Sequence, residues 1–382
     1  MRPTRVVIDL CAIRDNLTAI RERTKTGVMM AIKADAYGHG AEVVGRFVQE
    51  HRLADMLGVS CIEEGIHLRE AGVSLPVLVF GLLSCTRQDC DAVFSYRLTP
   101  TLVDRAPVEG LVAGARKWNR PIGVHLKVDT GMGRLGLPPD ESLKLAAEIA
   151  GIPEIRISGV YTHCPVSDVP GHPFTPCQLE TFFAFLKDLE SRGINPGIRH
   201  CANSGAILNH PESYLDMVRP GILCYGLYPS HDLPRTLEVV PAMTLKTAIA
   251  FVKRVKNGMG LSYGLTYHTP KDAWIATLPI GYADGFPRSL SNIAKVSIRR
   301  RLYPVVGRIC MDQCLVDLGD DLYPVGEEVE IFGRDPVTAE NLASWNNTIP
   351  YEITCNMSRR VPRTYSGELG AEEPRAGGLD IG

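Results

Sequence analysis

The chain has 382 residues, 45% of them hydrophobic, and 41 basic against 43 acidic side chains leave a net charge of −2. That length suits roughly two or three ordinary globular domains. The near-neutral balance gives no electrostatic reason to expect nucleic acid or an anionic membrane as partner, and no stretch approaches the ~18 consecutive apolar residues of a membrane span.

The opening Met1-Arg-Pro-Thr-Arg-Val-Val-Ile lacks the apolar core and small-residue cleavage site of a secretion signal. Eleven cysteines are scattered without a Cys-x-x-Cys pair, which predicts reduced thiols and a soluble, cytoplasmic protein. His163-Cys164 and His200-Cys201 fall in strand-like runs, where neighbouring side chains point to opposite faces. Neither pair is expected to share a metal, and no metal site is expected.

Residues 4–9 read as a strand with no helix before it. From about residue 10, strands predicted at 28–33, 56–60, 75–81, 97–102, 123–130, 157–164, 198–203 and 217–225 alternate with helices at 41–51, 62–71, 88–94, 104–118, 140–150, 175–191 and 204–209. Asp104, Asp140 and Thr175 are the expected N-caps, and Gly72, Gly151 and Gly193 the expected helix ends. Such strict alternation predicts an α/β fold, a (β/α)8 TIM-like barrel over 10–235. A doubly wound open sheet would share the alternation, but no G-x-G-x-x-G turn follows the first strand.

Beyond Pro234 the texture changes to short β segments at 245–253, 273–279, 295–298, 302–306, 313–318 and 328–332. Val255-Lys-Asn-Gly258-Met-Gly260 and Gly319-Asp-Asp321 supply turn signals. A mainly β C-terminal domain is predicted over 236–365, joined by residues 1–9 as an added strand. Residues 366–382, rich in Gly, Glu and Pro, are expected to be disordered.

The stretch Ala31-Ile-Lys33-Ala-Asp-Ala-Tyr37-Gly-His39-Gly40 follows the apolar run Val28-Met29-Met30. It delivers Lys33 to the end of a buried strand, where two glycines turn the chain. A lysine at the mouth of an apolar barrel is placed to lose its proton and act as a nucleophile. Other polar residues fall at the same strand ends: Lys127-Val-Asp129-Thr130, His163, Asn203-Ser204 and Arg219. Active sites of such barrels form on that rim. The cationic cluster suits an anionic ligand. The helix opening at Asn203-Ser204-Gly205 and the turn at Pro220-Gly221-Ile222 suit a phosphate, although a plain cap and a plain tight turn would read the same way.

Further segments carry a resemblance. Val128-Asp-Thr-Gly-Met-Gly-Arg134-Leu-Gly, His200-Cys-Ala-Asn203-Ser204-Gly, Met217-Val-Arg219-Pro-Gly221-Ile222, Leu261-Ser-Tyr263-Gly-Leu-Thr-Tyr, Pro279-Ile-Gly-Tyr282-Ala-Asp-Gly-Phe and Val306-Gly-Arg-Ile-Cys310-Met311-Asp312 resemble alanine racemase segments. They stand in that family's order and, with the Lys33–Tyr37 run, cover roughly residues 4–365.

The resemblance implies pyridoxal 5'-phosphate bound as a Schiff base on Lys33. Tyr37, Ser204, Gly221, Ile222 and Tyr351 would hold its phosphate, with Asn203 and His163 also in the cofactor's surroundings. Arg219 would face the pyridine nitrogen with His200 behind it, restraining the cofactor as an electron sink. Lys33 and Tyr263 would serve opposite faces of the substrate Cα, with His163 and Arg219 as relay to Tyr263. Arg134 and Met311 would contact the substrate, and Lys127 resembles the family's carbamylated lysine. Tyr263, Tyr282, Cys310, Met311 and Asp312 lie in the β segment. The family completes its partner's site from that segment, so a head-to-tail homodimer is implied. A tyrosine at 351 implies alanine rather than serine as substrate. The product would be D-alanine for peptidoglycan, or the role would be catabolic.

Two departures stand out: Pro165 in the segment after His163, and the chain after Tyr365, which has no family counterpart. A pyridoxal-phosphate decarboxylase would place a carboxylate where Arg219 stands. A cofactor-binding carrier would have no use for Tyr263 or a β domain.

Overall fold

The computed structural model of the protein describes residues 2–84 and 86–367. It divides into two compact units, Arg14–Val240 and a second made of the residues up to Ile13 with those from Pro241 onward. In the first, the strands Gly27–Ala31, Met56–Val59, Val77–Leu82, Thr99–Leu102, Ile122–Lys127, Ile155–Tyr161, Ile198–His200 and Met217–Val218 lie parallel in chain order. The eighth pairs with the first at Gly27↔Met217 and Val28↔Val218. Asp216 N–H donates to Arg199 O at 3.1 Å and Arg219 N–H to Ala202 O at 2.8 Å, closing the (β/α)8 barrel. Parallel strands covered on both faces must be apolar throughout, and Met56–Val59 is buried at every position.

The strands end earlier than the apolar runs predict, at Lys127, Tyr161, His200 and Val218 instead of 130, 164, 203 and 225. Beyond those points the backbone serves other partners: Thr162 O and Cys201 O accept from Arg219 Nη2 at 2.8 and 3.2 Å. After Val218 the chain passes Pro220, which has no N–H for a ladder, into the 3-10 turn Ile222–Tyr225. The expected caps also differ. Asp140 and Thr175 lie inside the helices Pro139–Ala150 and Phe174–Ser191, and Asp104 precedes a helix that starts at Val108. Gly72 and Gly193 do follow helix ends with φ of 86° and 73°, whereas Gly151 has φ −83°. The helix Leu10–Thr24 lay outside the predicted segments, although Leu10, Ile13, Leu17 and Ile20 repeat at helical spacing and are fully buried.

The second unit carries a nine-stranded sheet among the described residues. Its order is Phe251–Val255, Ala273–Leu278, Cys314–Gly319, Arg301–Val306, Lys295–Ile298, Glu328–Phe332, Met243–Ala248, Arg5–Asp9, Arg363–Ser366. The N-terminal strand pairs antiparallel with Met243–Ala248 and parallel with Arg363–Ser366. The single strand predicted at 245–253 is two strands. The chain leaves one and enters the other at Ile249-Ala250, whose N–H groups donate to Glu327 O and Thr277 O at 3.0 and 2.9 Å. Neither glycine nor proline marks that break. Ser366 closes the last strand, and the rest of the expected disordered tail lies outside the described residues from residue 368 on. No helix among the described residues is long and apolar enough to cross a membrane.

Met29, Met56, Leu78, Tyr161 and Met217 pack inside the barrel, and polar groups share that interior. Tyr161 and Thr101 hydroxyls lie 2.9 Å apart, and Thr101 donates to Val79 O at 2.7 Å, so Tyr161 is the donor between them. His125 Nδ1 and His200 Nε2 are 2.9 Å apart, with His125 1% and His200 0% exposed. Gly159 makes the room, because a Cβ there would lie 2.6 Å from the His125 ring. Burial, with Arg219 adding to it, lowers His125 to about 3 and His200 well below the usual histidine range. Both rings are therefore neutral in the folded state. Below pH ~6.5 the unfolded chain takes protons that these rings refuse, so stability is full above that pH and falls as the solution is acidified, by about 2 kcal/mol at pH ~5 for His125. Thermal melts between pH ~7 and ~5 should show that decline, shallower in H125N; parallel profiles would contradict it.

Candidate active site

Lys33 stands two residues past the first barrel strand, at the start of a short turn, Lys33–Tyr37. The expected sharp bend at Gly38 and Gly40 begins earlier. Ala34, Asp35, Ala36 and Tyr37 all have φ between 52° and 55°, a left-handed turn built without glycine. Such residues cost roughly 1–2 kcal/mol each, so the surroundings must hold them. Ala34 N–H donates to Glu64 Oε1 at 2.7 Å and Ala41 N–H to Asp35 Oδ1 at 2.8 Å. The Tyr37 ring packs 5.0 Å from that of Tyr225, whose hydroxyl donates to Ala31 O at 2.9 Å.

Arg219, 5% exposed, is the hub of the rim. Besides the two carbonyls it donates to His200 Nδ1 at 3.0 Å and lies 3.3 Å from His163 Nδ1. Its guanidinium lies 5.1 Å from the Tyr161 ring centre, and that ring stacks on His200 at 4.8 Å and 9°. Lys127 Nζ lies 4.9 Å from the same ring centre. Burial first, then Arg219 and Arg134, brings Lys127 down to about 7. His163 is held well below the histidine range by burial and then by Arg219, Lys127, Arg134 and Lys33. Four cations thus act on one imidazole, and Arg219 has no carboxylate within ion-pair distance among the described residues.

A second group lies at the seventh and eighth strand ends. Asn203 caps the helix Ser204–Asn209, its side chain accepting from Ala206 N–H at 3.0 Å. Ser204 Oγ accepts from Gly221 N–H at 2.9 Å. Gly221 has no room for a side chain, since a Cβ would lie 2.5 Å from Tyr37 Oη. A serine hydroxyl, a tyrosine hydroxyl and the backbone before Ile222 therefore meet around one glycine, an arrangement that suits an anion such as a phosphate. The segment after His163 is tied to the same place: Ser167 Oγ donates to Asn203 Oδ1 at 2.7 Å and Asn203 Nδ2 to Cys164 O at 3.0 Å. Asp129 shapes the loop that carries the exposed Arg134, accepting from Gly131 and Gly133 N–H at 2.9 Å each.

The remaining predicted residues belong to the β unit. Tyr263, 71% exposed, opens a 3-10 turn after Ser262, which sits at φ 61°. Ser262 Oγ donates to Arg308 O at 2.6 Å and lies 3.7 Å from Cys310 Sγ. Tyr282 and Ala283 N–H donate to Cys310 O and Met311 O at 3.0 Å each, and both Tyr282 and Met311 are exposed. Asp312 is held by Arg360, which also binds the buried Asp284 at 2.7 Å. Tyr351, half-buried, lies in the first turn of the helix Pro350–Cys355.

Sequence reasoning missed His125, Tyr161, Thr101 and Gln178. Gln178 Nε2 approaches Thr130 Oγ1 and His163 O at 3.4 Å each. A signal existed for His125: it stands two residues before Lys127 in one strand, hence on the same inward face. Tyr161 and Thr101 read as ordinary barrel filling.

Two family models match the chain, "Alanine racemase, N-terminal domain" over residues 8–229 and "Alanine racemase, C-terminal domain" over 242–365. An alanine racemase of Symbiobacterium thermophilum is 46% identical over 373 residues, covering 96% of this chain and 98% of the relative. One of Desulfovibrio desulfuricans is 42% identical over 367 residues, with 95% and 98% covered. Among solved structures, the alanine racemase of Clostridium difficile 630 superposes with a TM-score of 0.90 at 38% identity, covering 96% of each chain. With both domains matched in order and relatives aligned almost end to end, the chain belongs to the alanine racemase family, isomerases that interconvert the L and D forms of that amino acid.

Proposed function

We propose that the barrel rim binds pyridoxal 5'-phosphate and alanine, with Lys33 and Tyr263 exchanging the Cα proton on opposite faces. The observation that carries this reading is the cationic rim around Tyr161 and His163, with Arg219 3.3 Å from His163 Nδ1 and Lys127 and Arg219 4.9 and 5.1 Å from the Tyr161 ring centre. A cationic pocket of this kind calls for an anionic occupant, since buried charge is costly unpaired. The residues fit the cofactor: Ser204, Tyr37 and the Gly221-Ile222 backbone would hold its phosphate, and the absent side chain at 221 leaves room for close approach. When bound, pyridoxal phosphate supplies an electron-withdrawing ring that makes an amino acid's Cα proton removable.

The other steps belong to the chain's own residues. Lys33 Nζ takes or returns a proton on one face and Tyr263 Oη on the other, with His163 and Arg219 as relay. Arg219 would face the ring nitrogen; it donates without releasing its proton, which keeps the electron sink weak and disfavours side reactions. Asn203 steadies the phosphate side through Ser167 and Cys164. Arg134 orients the substrate carboxylate. Lys127, neutral in part at pH ~7, can add through Nζ to the carbon of carbon dioxide, release one N–H proton to solvent and become a carbamate anion that holds Arg134. Tyr351 limits the pocket to a methyl side chain, and Met311 contacts the substrate.

A head-to-tail homodimer accounts for Tyr263, Tyr282, Cys310, Met311 and Asp312, each β unit completing the partner copy's site. The exposure of Tyr263, Tyr282 and Met311 supports it, because large exposed apolar groups in one neighbourhood mark contact surfaces. Cys164, Cys201, Cys224 and Cys314 are buried free thiols, which fits a cytoplasmic supply of D-alanine for peptidoglycan, or its catabolism.

Loaded with pyridoxal phosphate, the protein should absorb visible light and racemise alanine, whereas K33A should lose the band and the activity. A wild type that stays colourless after incubation with the cofactor would end this reading. Y263F should slow isotope exchange at the Cα of one enantiomer far more than the other; equal losses would refute the two-face assignment. Mixed K33A and Y263F proteins should regain activity that neither has alone, and a mixture that stays inactive would exclude shared sites.

A further inference from the structure

We propose that His125 is a positioning residue for Arg219, acting through His200, an inference that rests on the reading of Arg219 as the cofactor's ring partner. The three side chains form a line of hydrogen bonds, with Arg219 Nη1 3.0 Å from His200 Nδ1 and His200 Nε2 2.9 Å from His125 Nδ1. A guanidinium has donors only, so His200 Nδ1 must be bare. Neutral His200 then carries its proton on Nε2 and donates it to His125 Nδ1, which must be bare as well. The order cannot reverse. A proton on His125 Nδ1 needs an acceptor at His200 Nε2, which would move the His200 proton to Nδ1, against Arg219.

Both rings are closed to solvent, 1% and 0% exposed, so water cannot replace either partner. The His200 ring has no freedom to swing away, because it stacks on Tyr161 at an interplanar angle of 9°. Gly159 keeps the space that His125 occupies. The line therefore runs from the barrel interior to the rim: Arg219 requires the proton of His200 on Nε2, and His125, the member farthest from Arg219, supplies the one acceptor that holds it there. Without that acceptor the buried Nε2–H of His200 is left unpaired, and a flip of the ring would aim a proton at the guanidinium. A hydrogen-bond partner placed behind a histidine in this way fixes the tautomer and orientation of the ring in front of it.

The test compares wild type with H125N, whose amide oxygen can stand in for Nδ1 as acceptor, and H125L, which has none. Nitrogen-15 histidine spectra of the cofactor-free proteins report the His200 tautomer, and alanine racemisation by the loaded proteins reports kcat and KM. Wild type and H125N should show His200 protonated on Nε2 alone, with similar kcat. H125L should lose the single tautomer, and its kcat should fall roughly 10- to 100-fold with KM little changed. The proposal is overturned if wild-type His200 carries its proton on Nδ1, if H125L keeps the wild-type tautomer and kcat, or if H125N is as impaired as H125L. Should H125L fail to fold, the wild-type and H125N spectra and rates decide. The spectra need neither cofactor nor activity, so an inactive wild type would strike at the racemase reading while the tautomer still decides the chain.

Discussion

The arrangement turns on one buried cation. Arg219 is 5% exposed and, among the described residues, faces carbonyls and neutral rings in place of a carboxylate. Taking a guanidinium out of water without a counter-ion costs several kcal/mol. Thr162 O, Cys201 O and His200 Nδ1 offset part of that cost with directed acceptors, and the Tyr161 ring adds its negative face. The geometry of the neighbourhood follows. The sixth and seventh strands stop at Tyr161 and His200 so that the next carbonyls can turn to the arginine. The histidines beside it stay neutral, and Lys127 nearby is lowered to about 7. A site so poor in negative charge is prepared for an occupant that brings its own.

Lys33 is held by a different device. Four successive residues at positive φ make a stiff left-handed turn, fixed by Glu64, by Asp35 and by the Tyr37–Tyr225 pair. Backbone strain of this kind persists only where its surroundings over-determine it, and it gathers at functional sites. Here it sets the path from the lysine to the tyrosine that meets Gly221, so the two sides of the proposed cofactor site share one segment.

Much of this was legible in the sequence. The barrel showed in the alternation of apolar runs with helical periods, and the rim in the polar residues ending those runs. The roles proposed for Tyr263, Met311 and Tyr351 rest on resemblance alone, since an exposed tyrosine or methionine in a β segment carries no signal of its own. The predicted strands run past the observed ends because Cys164 and Cys201 continue the apolar run while their carbonyls accept from Asn203 Nδ2 and Arg219 Nη2. The break at Ile249-Ala250 was hidden for the same reason: two apolar residues separate strands that pair on different sides of the sheet. The left-handed turn has no signal in the sequence, because Ala34, Ala36 and Tyr37 are not residues that favour it. His125 was within reach of the alternation rule, and the apolar residues around it concealed it.

The central claim is that Arg219 acts as a fixed, fully protonated donor, backed by a neutral histidine. Neutron diffraction from a crystal of the cofactor-loaded protein at neutral pH would locate the protons directly. The account predicts a fully protonated guanidinium, a bare Nδ1 on His200 and no proton on the cofactor's ring nitrogen. A proton on that ring nitrogen, or on His200 Nδ1, would contradict it.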